Sequence, residues 1–215
     1  MPPRAPAAPK PERRPGRKQK ILAEFRRGEI LTAATKVFGN KGFEATRMDD
    51  IARCAKLAKG TLYLYFRSKD AVYQATVQQA LERVATLTDE HVRREATFAG
   101  KLAAFIRIRL SFWTEQQAFY RVILSAGRDG QNRKRSIAWQ RPAVLYLESI
   151  LQHAAAASEI PPQDFLAAAW AIMDVVRGAN ERRVYAEGRD TEEDARFLTA
   201  FLTDALHARR LAPPA

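Results

Sequence analysis

Residues 46–70, TRMDDIARCAKLAKGTLYLYFRSKD, leave this chain few ways to fold. A short helix carrying Ile51 and Ala52 meets a tight break, and a second short helix ends in aromatic residues. That is the pattern of a helix-turn-helix. It predicts that Lys59 through Tyr65 faces nucleic acid and that the rest of the protein holds, pairs and regulates this element.

The surrounding composition agrees with an all-α fold. With 215 residues and 47% hydrophobic content the chain can bury a real core. Between Arg17 and Leu211 the only prolines are Pro142, Pro161 and Pro162, so the interior carries few helix breakers. The formal charge of +12 is concentrated in the first third, where residues 1–27 hold nine Lys/Arg against Glu12 and Glu24. A polyanion contacted by that end is implied, although an anionic membrane surface would also be attracted.

One cysteine, Cys54, and three scattered histidines give neither a disulfide framework nor a zinc spacing. No metal or cofactor is expected, and Cys54 reads as a small structural thiol. Residues 1–17, rich in Pro, Ala and Arg, read as a disordered basic arm that is either a solvated tail or a strap along phosphates. Neither a signal peptide nor an apolar span is legible, which points to the cytoplasm and away from a membrane.

Residues 29–40 predict a helix on the spacing of Ile30, Leu31, Ala34, Val37 and Phe38, with Gly42 as its terminator. Ile21, Leu22 and Phe25 can extend it backward across Gly28. Thr46 reads as the N-cap of the next helix, which buries Met48, Ile51, Ala52 and Ala55. From Lys59, Leu62 and Phe66 point inward while Lys59, Thr61, Tyr63 and Tyr65 point outward. Ser68 and Asp70 then open a long amphipathic helix reaching about Arg94.

These residues carry a family resemblance. The run ILTAATKVFGNKGFEATRMDDIARCAKLAKGTLYLYFRSKDAV, residues 30–72, resembles the N-terminal domain of the tetracycline-repressor (TetR) family of bacterial transcriptional regulators, most specifically in KGTLYLYFRSKDAV. The resemblance implies three DNA-reading helices, a divergent helical body that binds an inducer, and a homodimer. It assigns DNA contact to Thr46, Arg47, Lys56, Lys59, Gly60, Thr61, Tyr63, Tyr65 and Lys69. Two positions depart from the family: Lys56 stands where the turn usually has Gly, and Ala58 where a hydroxyl usually caps the second helix.

Beyond residue 95 the pattern stays helical. Residues 97–116 place Leu102, Phe105, Ile106, Leu110, Phe112 and Trp113 on one arc, with Arg109 near its middle. A permanent charge there needs a partner, either a carboxylate of the protein, the favoured reading, or an anionic or polar ligand. Residues 118–126 form a short buried helix, 127–135 a basic loop or helix start, and 136–157 a helix kinked or divided by Pro142. Pro161 and Pro162 are expected to start the next helix, which Gly188 stops, and a last one runs to about Ala208. The total is about nine helices, grouped as a head over residues 18–69 and a ligand-binding and dimerisation body over 70–210.

Arg109, Phe112, Trp113, Phe119, Tyr120, Trp139, Trp170, Met173 and Arg177 are the candidate lining for a lipophilic or aromatic inducer. Phe165, Ala169, Ile172, Val176, Asn180, Phe197, Phe201 and Leu202 are the candidate dimer seam, forming a four-helix bundle with a second copy. The expected function is a ligand-responsive regulator, a repressor released from a palindromic double-stranded operator by a small molecule. An activator or ligand-independent regulator is the alternative. A basic membrane-surface protein or an enzyme is the reading from another class, and no nucleophile triad, metal cluster or nucleotide fingerprint supports the latter.

Overall fold

The computed structural model describes residues 16–126, 130–186 and 190–207, and every secondary element among them is helical. Most of the expected arm, the loop residues 127–129, the stop at Gly188 and the end at Ala208 lie outside the described residues.

Helix α1 spans Arg17–Ala45 and begins well before the expected position. Gly28 lies inside it without breaking it, and Ile21, Leu22 and Phe25 are exposed on this added portion. Gly42 does interrupt it, as its spacing predicts, with φ +79° and ψ 169°, values that favour a residue without a Cβ. Helices α2 (Met48–Cys54) and α3 (Lys59–Tyr65) follow, then the long α4 (Lys69–Val92), about 36 Å at the usual rise per residue. Ser68 caps α4 by accepting the Ala71 N–H at 3.1 Å.

Two local expectations change. Arg47, not Thr46, occupies the N-cap of α2, and the Asp50 carboxylate accepts the Arg47 N–H at 3.1 Å. Thr46 instead finishes α1: it is buried, and its hydroxyl donates to the Gly42 carbonyl at 2.6 Å, satisfying an orphan left by the break. Cys54 is exposed, so it is not a packing thiol.

The body comprises α5 (Phe98–Glu115), α6 (Gln117–Ala126), α7 (Gly130–Ala156), α8 (Phe165–Tyr185) and α9 (Thr191–His207). Helix α7 runs through Pro142 undivided, and the ring removes the N–H that would bond the Ala138 carbonyl. Helix α8 starts after the proline pair, because Asp164 accepts the Ala167 N–H at 2.9 Å and is the better cap. Arg183 of α8 and Asp194 of α9 form an ion pair whose side chains are only 8% and 10% exposed.

Three apolar clusters organise the packing. One joins α1, α2 and α3 to Val72, Tyr73 and Val77 of α4 and to Phe119 and Val122 of α6. A second fills the body between α5, α7, α8 and α9. A small third, Val84, Phe112, Trp113 and Tyr120, lies where α4, α5 and α6 meet. The head therefore has no core of its own; α6 is part of it. Gly39 permits this approach, since a Cβ there would stand 3.2 Å from Ala118 Cβ.

Candidate nucleic-acid interface and body cavity

The geometry of the head starts from its tight turn. Lys56 has φ +55°, its N–H donates to Arg53 O at 3.1 Å and the Leu57 N–H to Ala52 O at 2.8 Å. These two bonds make the glycine-type helix stop on a residue that has a Cβ. Helix α3 then starts at an Ala58 cap with no side-chain bond. The departure from glycine is real strain, and the departure from a hydroxyl is a missing bond.

Leu62 and Phe66 are buried, which turns the opposite side of α3 to solvent. Arg47, Lys56, Lys59, Gly60 and Tyr63 are exposed, Thr61 is half-buried, and Tyr65 lies half-buried against the head core instead of facing out. Thr46 and Lys69 are engaged elsewhere. The Lys69 ammonium donates to the carbonyls of Phe43 at 2.8 Å and Glu44 at 3.0 Å. Lys59 reaches back across the turn to Asp49 at 2.9 Å, and that hydrogen bond holds its ammonium above the usual lysine range. Asp50 is held below the usual carboxylate range, first by its bond to Lys41 at 2.8 Å and then by the Arg47 amide.

Leu64 is the feature that residue patterning missed. It is 84% exposed, next to Tyr63 at 43%, and follows exposed Gly60 by one turn of α3. The aromatic run drew attention to its tyrosines, and an apolar residue inside such a run reads as core. Its spacing of four from Gly60 was the available signal.

In the body, a cavity of about 950 Å³ opens between α4, α5, α6, α7 and α8. It brings together Arg109, Trp113, Tyr120, Trp139, Trp170, Met173 and Arg177 of the expected lining. Phe112 packs edge-on to Trp113 with ring centroids 5.0 Å apart and is not on the wall. Phe119 faces the other way, into the head cluster beside Tyr73. The wall also includes Val77, Leu81, Ile123 and Asn180, which no aromatic pattern marks.

Arg109 is 6% exposed, and its guanidinium lies 4.5 Å over the Phe105 ring. The expected carboxylate partner does not exist among the described residues, and Nε has no hydrogen-bond partner. Burial pushes its pKa down to about 10, so it stays protonated at neutral pH. Tyr146, whose hydroxyl donates to Asp89 at 3.1 Å, is pushed up to about 12, by burial first. Arg177 is exposed and pairs with Asp174 at 3.3 Å and Glu181 at 3.8 Å.

The expected dimer seam is also redistributed. Ala169, Ile172, Val176, Asn180 and Leu202 are buried within the subunit, and Phe165 packs half-buried against the same core. A residue with no surface left cannot be shared with a second copy, and a helical wheel does not say whose core an apolar arc joins. Phe197 and Phe201 do face outward, 53% and 54% exposed, with stacked rings 6.1 Å apart.

A helix-turn-helix head sharing its core with a cavity-bearing helical body is the architecture of a DNA-binding transcriptional regulator. Residues 30–76 match the model for bacterial regulatory proteins of the tetR family, so the head carries that family's DNA-binding domain. It is 30% identical over 116 residues to the HTH-type transcriptional activator FasR of Mycolicibacterium smegmatis, covering 52% of this chain and 53% of FasR. The chain thus spans about half the length of that relative. It is 30% identical over 78 residues to the fatty acid metabolism regulator protein of Bacillus subtilis, covering 36% of this chain and 40% of that protein. The fold is similar to that of the transcriptional regulator FadR from Bacillus subtilis, solved in complex with stearoyl-CoA, with a TM-score of 0.75 and 21% identity over 84% of this chain and 99% of FadR.

Proposed function

We propose that this regulator is ligand-responsive: a homodimer on a palindromic operator in the cytoplasm, released when a small lipophilic or aromatic molecule enters the body cavity. The single observation that carries the reading is the two-sided use of α6. Phe119 and Val122 lie in the head cluster, while Tyr120, Ile123 and Leu124 line the cavity. A ligand that moves α6 to make room cannot leave the head where it was, because interiors are close-packed.

Arg47, Lys56, Lys59, Gly60 and Tyr63 are the proposed DNA contacts, with Thr61 at the edge of the face and Leu64 added to them. Exposed Phe197 and Phe201 of α9 are the proposed centre of the twofold seam. A dimer would set two α3 helices about 34–36 Å apart, which a palindrome matches. Ligand binding would lower operator affinity by the coupling free energy, about 1–3 kcal/mol.

Footprinting upstream of the protein's own gene, repeated with a compound library, tests this. Protection of a palindrome that a cavity ligand relieves supports it, and a tightly bound cavity ligand that leaves protection unchanged refutes it. The activator reading draws support from the FasR similarity. In vitro transcription from the protected promoter separates the two, since a repressor lowers transcript yield and an activator raises it.

A further inference from the structure

We infer that the cavity takes an amphiphilic monocarboxylate whose head is bound by the buried Arg109 and whose apolar body lies along the tryptophan-lined wall. The inference rests on the ligand-responsive reading above and names the chemical class of the ligand.

The floor of the cavity carries a charge without a counter-charge. Arg109 is 6% exposed, lines the cavity and has no carboxylate within ion-pair distance among the described residues. Other polar atoms on the same wall are also unpartnered: Asn180 Oδ1, in a residue 4% exposed, and Gln140 Oε1. A buried ion is expensive unless paired, and buried polar groups are normally bonded. The unpaired guanidinium facing the cavity marks the place where a ligand's anionic end belongs.

The chemistry of that end follows from the donors. A guanidinium offers a flat fork of N–H groups, which a carboxylate meets with two parallel bonds. The Gln140 NH2 already donates to the Ser136 carbonyl at 3.3 Å, so the free amide oxygens of Gln140 and Asn180 are acceptors and the guanidinium alone recognises the carboxylate. The rim disfavours anything more highly charged. Glu82, Asp174 and Glu181 line the cavity, with Arg177 paired to the last two, so a polyphosphate would meet repulsion there. Val77, Leu81, Ile123 and Met173 give the wall apolar surface for the ligand's body.

The chain has three tryptophans, Trp113, Trp139 and Trp170, and all three line the cavity. Intrinsic fluorescence of the full-length protein therefore reads its contents. The probes are dodecanoate and 1-naphthaleneacetate, each titrated beside its alcohol, with dodecanoyl-CoA as the polyanionic arm. At least one carboxylate should bind saturably and at least tenfold more tightly than its alcohol. Arg109→Met should bring acid and alcohol within about twofold of each other, while Arg109→Lys keeps part of the difference. A thermal melt of each variant verifies folding.

Equal binding of acid and alcohol to the wild type would mean that solvent satisfies Arg109, and overturns the proposal. So does the absence of binding by both carboxylates, tighter binding of dodecanoyl-CoA than of dodecanoate, or an unchanged preference in Arg109→Met. Operator release measured with the same probes keeps the two readings apart. A carboxylate that binds through Arg109 without releasing DNA sinks the ligand-response reading alone. A neutral compound that releases DNA while acids and alcohols bind alike sinks this one alone.

Discussion

The ammonium of Lys69, at the start of α4, stands 4.4 Å over the ring of Phe43 and donates to the Phe43 carbonyl at 2.8 Å. With its second bond to Glu44 O, it closes the end of α1 that follows the Gly42 break. The family resemblance implies DNA contact for this lysine; its contacts hold α1 against α4. Lys69→Met keeps the stem and removes the donors, and should destabilise the protein by about 1–2 kcal/mol in urea denaturation. Operator affinity of the folded variant should stay within about twofold of wild type. A tenfold loss of affinity at unchanged stability would return Lys69 to the DNA face.

At the turn of the helix-turn-helix, Lys56 holds a left-handed conformation that suits glycine. Lys56→Gly should stabilise the protein by about 0.5–1 kcal/mol, because strain relief outweighs the added freedom of the unfolded chain. The exposed ammonium is lost as well. If Lys56 meets a phosphate, the slope of log affinity against log salt should become shallower by about 0.9. Chemical denaturation and operator titration across salt concentrations measure the two effects separately.

Legibility differed between head and body for a physical reason. In the head, local rules and tertiary packing agree: Leu62 and Phe66 are buried, and Gly42 adopts the positive φ that marks a break. Thr46 is not the cap because α2 starts at Met48 with Arg47 in the cap position, and the Thr46 hydroxyl donates instead to the Gly42 carbonyl at the break in α1. In the body, periodicity located the buried stripe of α8 but not its partner, so Ala169 and Ile172 were read as shared between copies when they fill one subunit. Arg109 was legible as a charge on an apolar arc. Its lack of a carboxylate was not, because that depends on side chains of four other helices.

Ligand-free Arg109→Met should be more stable than wild type by about 1–4 kcal/mol, since it replaces a buried, unpaired charge with an apolar side chain of similar length. Differential scanning calorimetry without added ligand reads this directly. A lowered melting temperature would mean that the guanidinium is satisfied inside the protein.

Asp194 behaves in the opposite sense. It pairs with Arg183 across α8 and α9 with both side chains nearly buried, and Gln117 of α6 donates to the Arg183 carbonyl at 2.8 Å. Asp194→Ala removes this nearly buried carboxylate and should destabilise the protein by more than about 1 kcal/mol in equilibrium unfolding. A loss below about 1 kcal/mol would make the pair equivalent to a surface bridge.

His207, in the last turn of α9, has one ring nitrogen 2.7 Å from Thr203 O and the other 2.8 Å from Glu159 O. Both partners are carbonyls and only accept, so the ring makes both bonds only as an imidazolium with two N–H donors. Those two hydrogen bonds, Thr203 first, raise its pKa above the ordinary value of 6.5. A raised folded pKa sets the sign: the contribution is fully present below about pH 6.5 and disappears as the pH rises through the higher folded value. The tie joins the end of α9 to the residue just before Ile160, so its loss should loosen that corner of the body. His207→Gln should flatten the pH dependence of stability between pH 6 and 8 and leave a protein resembling the wild type at the upper end. NMR titration of the ring checks the premise, and a folded pKa at or below 6.5 would reverse the expected sign.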